Sequence, residues 1–408
     1  MTTQRTVSPD ELAEIDLADP RLHAESDLSA IWRHLREHEP VHWNAARGGI
    51  PGFWVVTRHA DVTSVYRDSA RFTSERGNVL ATLLAGGDSG SGRMLVVSDG
   101  PYHFALRRLL TPAFSSRRLV PIVASVRRTV ARLLQEATEM GTCDFVADVA
   151  AKIPLGAICD LLGVPETDRA YLLSRTSSAL SSEHADSAAV DGWKAKNEIL
   201  LYFVKRVHER ADSGDDDVVS ILAGGRVNGQ PLDDDQIIVN CFNLIFAGDE
   251  TTRLSLVGGA LALVDNPDQW RALKRGDVTV ATATEEILRW TTATLHSGRT
   301  ATADTVLAGQ AIHAGDIVTV WLSSANRDER VFDAPDVLRL DRSPNRHITF
   351  GHGSHFCLGA YLARAEIQAV LAGLCEQVAT MERVGPARPI YSNFLNGFAS
   401  LPLVLKST

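Results

Sequence analysis

A mainly α-helical fold with small β-sheets is what this sequence predicts, on three observations. A run that opens on Asp233, Asp234 and Asp235 and continues to about Val264, ahead of Asn266-Pro267, places acids at a helix N-terminus and a stop at its end. At 1.5 Å per residue it would span about 48 Å, longer than most helices of globular proteins. Residues 117–163 keep helical periodicity with few breaks. Pro40-Val41-His42-Trp43 and Gly52-Phe53-Trp54-Val55-Val56-Thr57 read instead as paired strands, because β-branched and aromatic residues cluster between turn formers. No proline- or glycine-rich linker divides the 408 residues, so a single domain over 1–408 is expected, and 45% hydrophobic content suffices for a large core.

Composition excludes several classes of function. A net charge of −9 leaves no basic domain to neutralise phosphates, so nucleic acid is not an expected partner. The N-terminal residues are polar and acidic, and no apolar run reaches the ~18 residues of a membrane span. A cytoplasmic protein with neither leader nor membrane anchor is therefore expected. Five cysteines, Cys143, Cys159, Cys241, Cys357 and Cys375, are odd in number and far apart, which points to a reduced compartment and not to a disulfide framework. No C-x-x-C pair suits zinc.

Taken in order, a helix is expected at His59 to Asp68, after the paired strands. Leu80 to Ala85 then leads into Gly86 to Gly92, whose glycines and serines mark a flexible loop. In Asp99-Gly100-Pro101-Tyr102-His103-Phe104-Ala105-Leu106-Arg107-Arg108, His103 and Arg107 are four apart, so on a helix they share a face and can converge on one anion. Ile153 to Pro165 ends a helix, and Ser177 to Val190 is rich in Ser and Ala with poor amphipathic order. On the long helix Asn243, Ala247 and Thr251 recur every four residues and share a face. Glu286 and Arg289, three apart on a later helix, permit an ion pair. Asp304 to Val320 reads as short strands around Gly309 and Gly315.

The chemistry concentrates in Phe350-Gly351-His352-Gly353-Ser354-His355-Phe356-Cys357-Leu358-Gly359, where a glycine-punctuated loop meets a helix running on through Ala360 to Glu366. Backbone N–H groups and the positive end of the helix dipole both favour a thiolate at Cys357. Gly351, Gly353 and Gly359 remove side chains where something flat would approach the backbone. That object is read as haem, with Cys357 as its axial ligand, and without a C-x-x-C-H motif it is held non-covalently. The string Phe-Gly-x-Gly-x-His-x-Cys-x-Gly resembles the haem-binding loop of the cytochromes P450, with every fixed position filled.

The resemblance spans about positions 99 to 401 and implies the cytochrome P450 fold, a long central helix over a b-type haem. Phe350, Gly351, His355, Gly359 and Ala247 would border the haem beside Cys357. His103, Arg107 and Arg299 match the family's propionate-binding positions, as anions in a low-dielectric pocket require paired cations and donors. Phe246 to Thr252 matches the distal pattern Ala-Gly-x-acid-Thr, with Glu250 as the catalytic acid and Thr251 as the hydroxyl. Ala247 and Gly248 would leave room for oxygen and substrate. Asn243, Leu295, His296, Phe394 and Leu395 are the further substrate contacts expected, and 177–190 would form a lid. Glu286 and Arg289 match the family's Glu-x-x-Arg, with Arg342 the expected third member of a structural group. After that helix most relatives carry a proline, which Thr291 to Arg299 lacks.

The implied activity is insertion of one atom of O2 into a small organic substrate, a natural-product intermediate, by a haem-thiolate monooxygenase. A cysteine thiolate donates electron density through iron and favours O–O cleavage. No dinucleotide-binding G-x-G-x-x-G follows a strand and no ferredoxin-type cysteine cluster occurs, so electrons from NAD(P)H are expected through a separate ferredoxin and ferredoxin reductase. Arg107, Arg108, Arg117, Arg118 and Arg346 are expected on the cysteine side of the haem, where they would steer an acidic ferredoxin to a monomeric enzyme. Two other readings stand beside this one. Oxidative coupling or peroxide-driven oxidation is one, against which Glu250-Thr251 argues when peroxide is the oxidant. A non-catalytic recruitment protein is the other, against which intact Cys357, Arg299 and His355 argue.

Overall fold

Helices α1 (Pro20–Glu25) and α2 (Ser29–His38) lead into a hairpin of β1 (Val41–Asn44) and β2 (Phe53–Val56), with Trp43 opposite Trp54. The computed structural model describes residues 7, 12, 14–180, 188–210 and 216–408, without the side chains at 177–180, 188–193 and 210. Helix α3 (His59–Arg67) and β3 (Phe72–Thr73) follow, and β4 (His296–Ala301) and β5 (Ile317–Trp321) complete a five-stranded sheet in the order β1-β2-β5-β4-β3. Strand β5 runs parallel to β2 and antiparallel to β4, a pairing that brings Arg299 opposite Val318 in the middle of the sheet.

The helical body comprises α4 (Leu80–Leu84), α5 (Gly100–Leu110), α6 (Ser116–Met140), α7 (Lys152–Leu162), α8 (Glu166–Leu180), α9 (Ala188–Arg210), α10 (Asp234–Asp265), α11 (Val280–Thr291) and α12 (Ala360–Gln377). The stretch 117–163, expected to be helical with few breaks, divides where Gly141 closes α6 at φ 73, a conformation that a side chain disfavours. Thr142–Asp144 then joins Pro402–Ser407 and Val378–Arg383 in a small antiparallel sheet. The expected lid at 177–190 falls, for 181–187, outside the described residues.

Helix α10 begins at a full capping box. The Asp233 side chain accepts from the Gln236 backbone N–H at 2.7 Å, and the Gln236 side chain accepts in return from the Asp233 backbone N–H at 2.9 Å. From there it is apolar on nearly every side and runs through the largest apolar cluster, which draws on residues from Leu95 to Leu405. The glycine-rich loop is less free than its composition predicts. Asn240 of α10 accepts from the Leu95 N–H at 2.8 Å and donates to the Arg93 carbonyl at 2.9 Å, tying the end of that loop to the central helix.

Candidate active site

The cysteine loop is closed by its own backbone. The Cys357 N–H donates to the Phe350 carbonyl at 2.9 Å and the Gly351 N–H to the Ile348 carbonyl at 2.8 Å, so the sulfur stands just ahead of α12. The glycines have different reasons to be there. At Gly353, φ is +70 and a Cβ would lie 2.7 Å from the Tyr66 carbonyl oxygen, so this glycine lets α3 pack on the loop. At Gly359 a Cβ would meet only the Cys357 sulfur, at 4.0 Å, which leaves the space beside the sulfur open.

The helix end does not by itself produce the expected thiolate. Burial pushes the Cys357 thiol up, against the Gly359 N–H, Arg107 and Arg364, which favour the anion. A bound metal ion supplies the missing charge, because a coordinating thiol loses its proton outright.

Four nitrogen-bearing side chains gather beside this loop. The His103 and His355 rings pack with centroids 4.2 Å apart and planes tilted by 33°, and the buried His103 Nε2 has no hydrogen-bond partner. Burial, reinforced by the charges of His355 and Arg107, pushes His103 down to about 4, so its ring is neutral. Arg299 is 3% exposed, bonds only to neutral groups, Ser297 Oγ at 3.1 Å and the Gly298 carbonyl at 2.6 Å, and lies 5.1 Å from the Tyr66 ring. A buried guanidinium without a bonded carboxylate calls for an anion from outside the chain. Arg107 turns toward the loop, donating to the Phe356 carbonyl at 2.5 Å, so here His103 and Arg107 do not close on one point.

Across the site, one face of α10 opens. Ala247 is exposed and Asn243 and Thr251 are half-buried, while residues 244–246, 249–250 and 252–257 are buried. The Thr251 hydroxyl donates to the Ala247 carbonyl at 2.8 Å, as a helical Thr does when it bends the local ladder. An orphaned imidazole nitrogen, an anion-seeking arginine and open space at the sulfur and at Ala247 fit a haem with its propionates between β4 and α5. Cys357 would hold its iron, and His103, Arg107, Arg299 and His355 its propionates.

The profile of the family described as Cytochrome P450 matches residues 278–378, which include α11 and the cysteine loop. Cytochrome P450 NovI of Streptomyces niveus is 55% identical over 403 residues, 99% of each chain. The chain belongs to the cytochrome P450 family. A steroid C26-monooxygenase of Mycolicibacterium smegmatis is 34% identical over 98% of each chain. Among solved structures, the P450 OxyD that is involved in the biosynthesis of vancomycin-type antibiotics superposes with a TM-score of 0.88 at 34% identity, over 97% of this chain and 100% of its own. The Bacillus subtilis bacillaene polyketide synthase P450 PksS superposes at 0.85 with 29% identity, over 96% and 100%. This P450 is a haem b enzyme and a monooxygenase that takes a small-molecule substrate, O2 and electrons from redox partners.

The P450 site differs from expectation at several substrate positions. Gly248 does not open the pocket: its missing Cβ makes room for Ile158 of α7, whose side chain would stand 3.0 Å away. His296 is fully buried, packed at a tilt against Trp321 at 4.9 Å, with Nε2 accepting from the Leu80 N–H at 3.1 Å and burial pushing its pKa down to about 3. It is a packed core ring, edge-on to Phe394 at 5.5 Å. Leu295 packs into the cluster of Trp32 and Trp321, and Leu395, 1% exposed, into that of Leu254, Ala293 and Ile390. Of the hairpin pair only Phe394 keeps partial exposure. The missing proline is replaced by Thr292 at φ 40, and the chain is guided by bonds from the Leu295 N–H to the Phe394 carbonyl and from the Asn396 N–H to the Ala293 carbonyl, both 2.8 Å.

The acids of the distal helix are also arranged differently. Glu250 is buried, with one oxygen ion-paired to Arg253, three residues along, and the other without a hydrogen-bond partner. Asp249, absent from the expected site, accepts from the Thr176 hydroxyl at 2.6 Å. Burial raises the pKa of both acids, and their mutual repulsion adds to it at Asp249. Buried Glu366, hydrogen-bonded to Thr252 and facing the Asp249 charge, is also pushed up by burial, to about 8. Adjacent polar letters in Asp249-Glu250 were the only local signal.

The structural group is complete. Arg289 donates to both Glu286 oxygens at 2.8 Å, and Arg342 Nε and Asn345 Nδ2 each donate to Oε2 at 3.0 Å. Beside it stands a set that no spacing announced. Glu285 accepts from Arg364 at 2.7 and 2.9 Å and pairs with His347 at 3.1 Å, and Arg364 covers the Phe350 ring at 4.5 Å. His347 and Arg364, through hydrogen bonds and charge, outweigh burial and hold the Glu285 carboxyl at about 2.

Proposed function

We propose that this P450 oxygenates a natural-product intermediate in the cytoplasm, as a monomer fed with electrons from NAD(P)H by a ferredoxin and its reductase. The reading rests on full-length similarity to enzymes of biosynthetic assembly, OxyD and PksS among them. No helix among the described residues is long and apolar enough to cross a membrane. The overall balance is RH + O2 + 2e⁻ + 2H⁺ giving ROH and H2O. Haem held by Cys357 supplies the oxygen-activating redox chemistry.

The chain's own residues do the rest. Asn243, Ala247 and Thr251 line the open face of α10, where Ala247 leaves space and Asn243 offers one amide to orient a polar group. Thr251 can pass protons from its hydroxyl. Thr251→Ala is expected to lower product per NAD(P)H by about 10²-fold while hydrogen peroxide rises. Unchanged coupling removes Thr251 from proton delivery.

Steroids are the second reading, since a steroid C26-monooxygenase covers the chain equally well and CYP109E1 from Bacillus megaterium superposes in complex with corticosterone. A blue shift of the ferric Soret band, screened with biosynthetic aromatic and polyketide intermediates and with corticosterone, separates the two. A shift with corticosterone alone overturns the first.

For the ferredoxin, Arg108, Arg117 and Arg346 are exposed, as are Phe104, Val120 and Phe356. Two expected members drop out, since Arg118 is paired with Asp216 at 2.6 Å and Arg107 points inward. Exposed basic and apolar residues together suit an acidic partner. Arg108→Glu with Arg117→Glu is expected to slow ferredoxin-driven reduction at least about 10-fold and leave dithionite reduction unchanged. Equal rates reject this surface.

A further inference from the structure

Asp99 opens the stretch that carries His103 and Arg107, yet nothing in the chemistry above uses it. It stands one residue ahead of α5 without capping that helix through its side chain. Its carboxylate instead collects three bonds from two other parts of the chain. Oδ1 accepts from His355 Nε2 at 2.9 Å, and Oδ2 accepts from the Thr73 hydroxyl at 2.8 Å and the Ser74 N–H at 2.6 Å. Both side chains of the Asp99–His355 pair are 11% exposed. Hydrogen bonds from His355, Ser74 and Thr73 outweigh burial and hold Asp99 below the usual carboxylate range, so it is an anion.

We propose that Asp99 is a positioning residue for the haem, aiming His355 at a propionate and placing one negative charge behind the cations that hold it. The argument is geometric. With Nε2–H committed to Asp99, Nδ1 is the only polar atom His355 has left to present, and it donates to a propionate when the ring carries both protons. The His103 ring packs against that ring, tilted by 33°, and its own Nε2 lies buried and unpartnered. Arg299 lies close enough for the Asp99 charge to favour its protonated form. One carboxylate therefore ties β3 and the cysteine loop at the foot of α5, beside the groups that would face the propionates. Such outer carboxylates orient histidine ligands of metals, and losing one weakens the bound group by about 10- to 100-fold.

The test uses the holoenzyme. Haem transfer to excess apomyoglobin and the ferric–ferrous midpoint potential are measured for Asp99→Asn and Thr73→Val. Asp99→Asn is expected to lose haem about 10- to 100-fold faster and to shift the midpoint upward, because removing a negative charge favours the added electron. Thr73→Val removes only the tie to β3 and is expected to match wild type in both measurements. A wild-type value for Asp99→Asn in either measurement overturns the proposal, as does a Thr73→Val variant that reproduces both changes. Should Asp99→Asn not fold, Asp99→Glu, which keeps the charge but displaces the carboxylate, is expected to lose haem faster at a wild-type midpoint, and wild-type haem loss overturns the proposal.

Discussion

Cys357→Ala is expected to abolish oxygenation and the red-shifted Soret band of the reduced carbon monoxide complex, with little change in stability. The loop is held by backbone bonds, from Cys357 N–H to Phe350 and from Gly351 N–H to Ile348, which a change of side chain leaves in place. The sulfur makes no disulfide, so the loss in unfolding free energy should stay within about 1 kcal/mol. No other cysteine is placed to substitute. Cys143, Cys159 and Cys241 are buried, with burial pushing the first two to about 11 and about 12, and Cys375 lies near the far end of α12 from the loop. Urea unfolding and the carbon monoxide difference spectrum decide the matter together. A variant that keeps the band has its iron ligated elsewhere, and the site as described is then wrong.

Glu286→Ala is expected to be the most damaging single substitution away from the haem, at about 3–5 kcal/mol in urea unfolding. Glu286 and Arg289 are both fully buried and Arg342 is 5% exposed. Removing the carboxylate leaves two guanidinium groups buried without their counter-charge, and also takes the acceptor from Asn345 and from the Arg339 N–H. Because this group fastens α11 to residues 333–345, just ahead of the cysteine loop, haem retention should fall with stability. A loss under 1 kcal/mol would show the network to be dispensable.

The parts of the site that could be read in the sequence share one property: their geometry is local. Glu286 and Arg289 are three apart on α11, Asn243, Ala247 and Thr251 four apart on α10, and the residues from Phe350 to Gly359 form one loop. Helical repeat and loop chemistry place such residues before any long-range contact is known. Where the reading failed, direction depended on a distant neighbour. Gly248 was read as pocket space, and Ile158 of another helix occupies it. His296 was read as a substrate contact, and Trp321 takes its face. Asp249, which the sequence did not single out, turns to Thr176, 73 positions away.

By itself the sequence determined the helical class, the small sheet, the long capped central helix and the cysteine that marks this chain as a P450, because periodicity and short motifs encode them within a few residues. Only the tertiary structure decided which polar groups are buried without partners and which carboxylates meet which cations. Asp99 reaches His355 across 256 positions and Glu285 reaches Arg364 across 79. Pairings at that separation are set by how helices and strands pack, and burial then makes each of them costly to leave unmade.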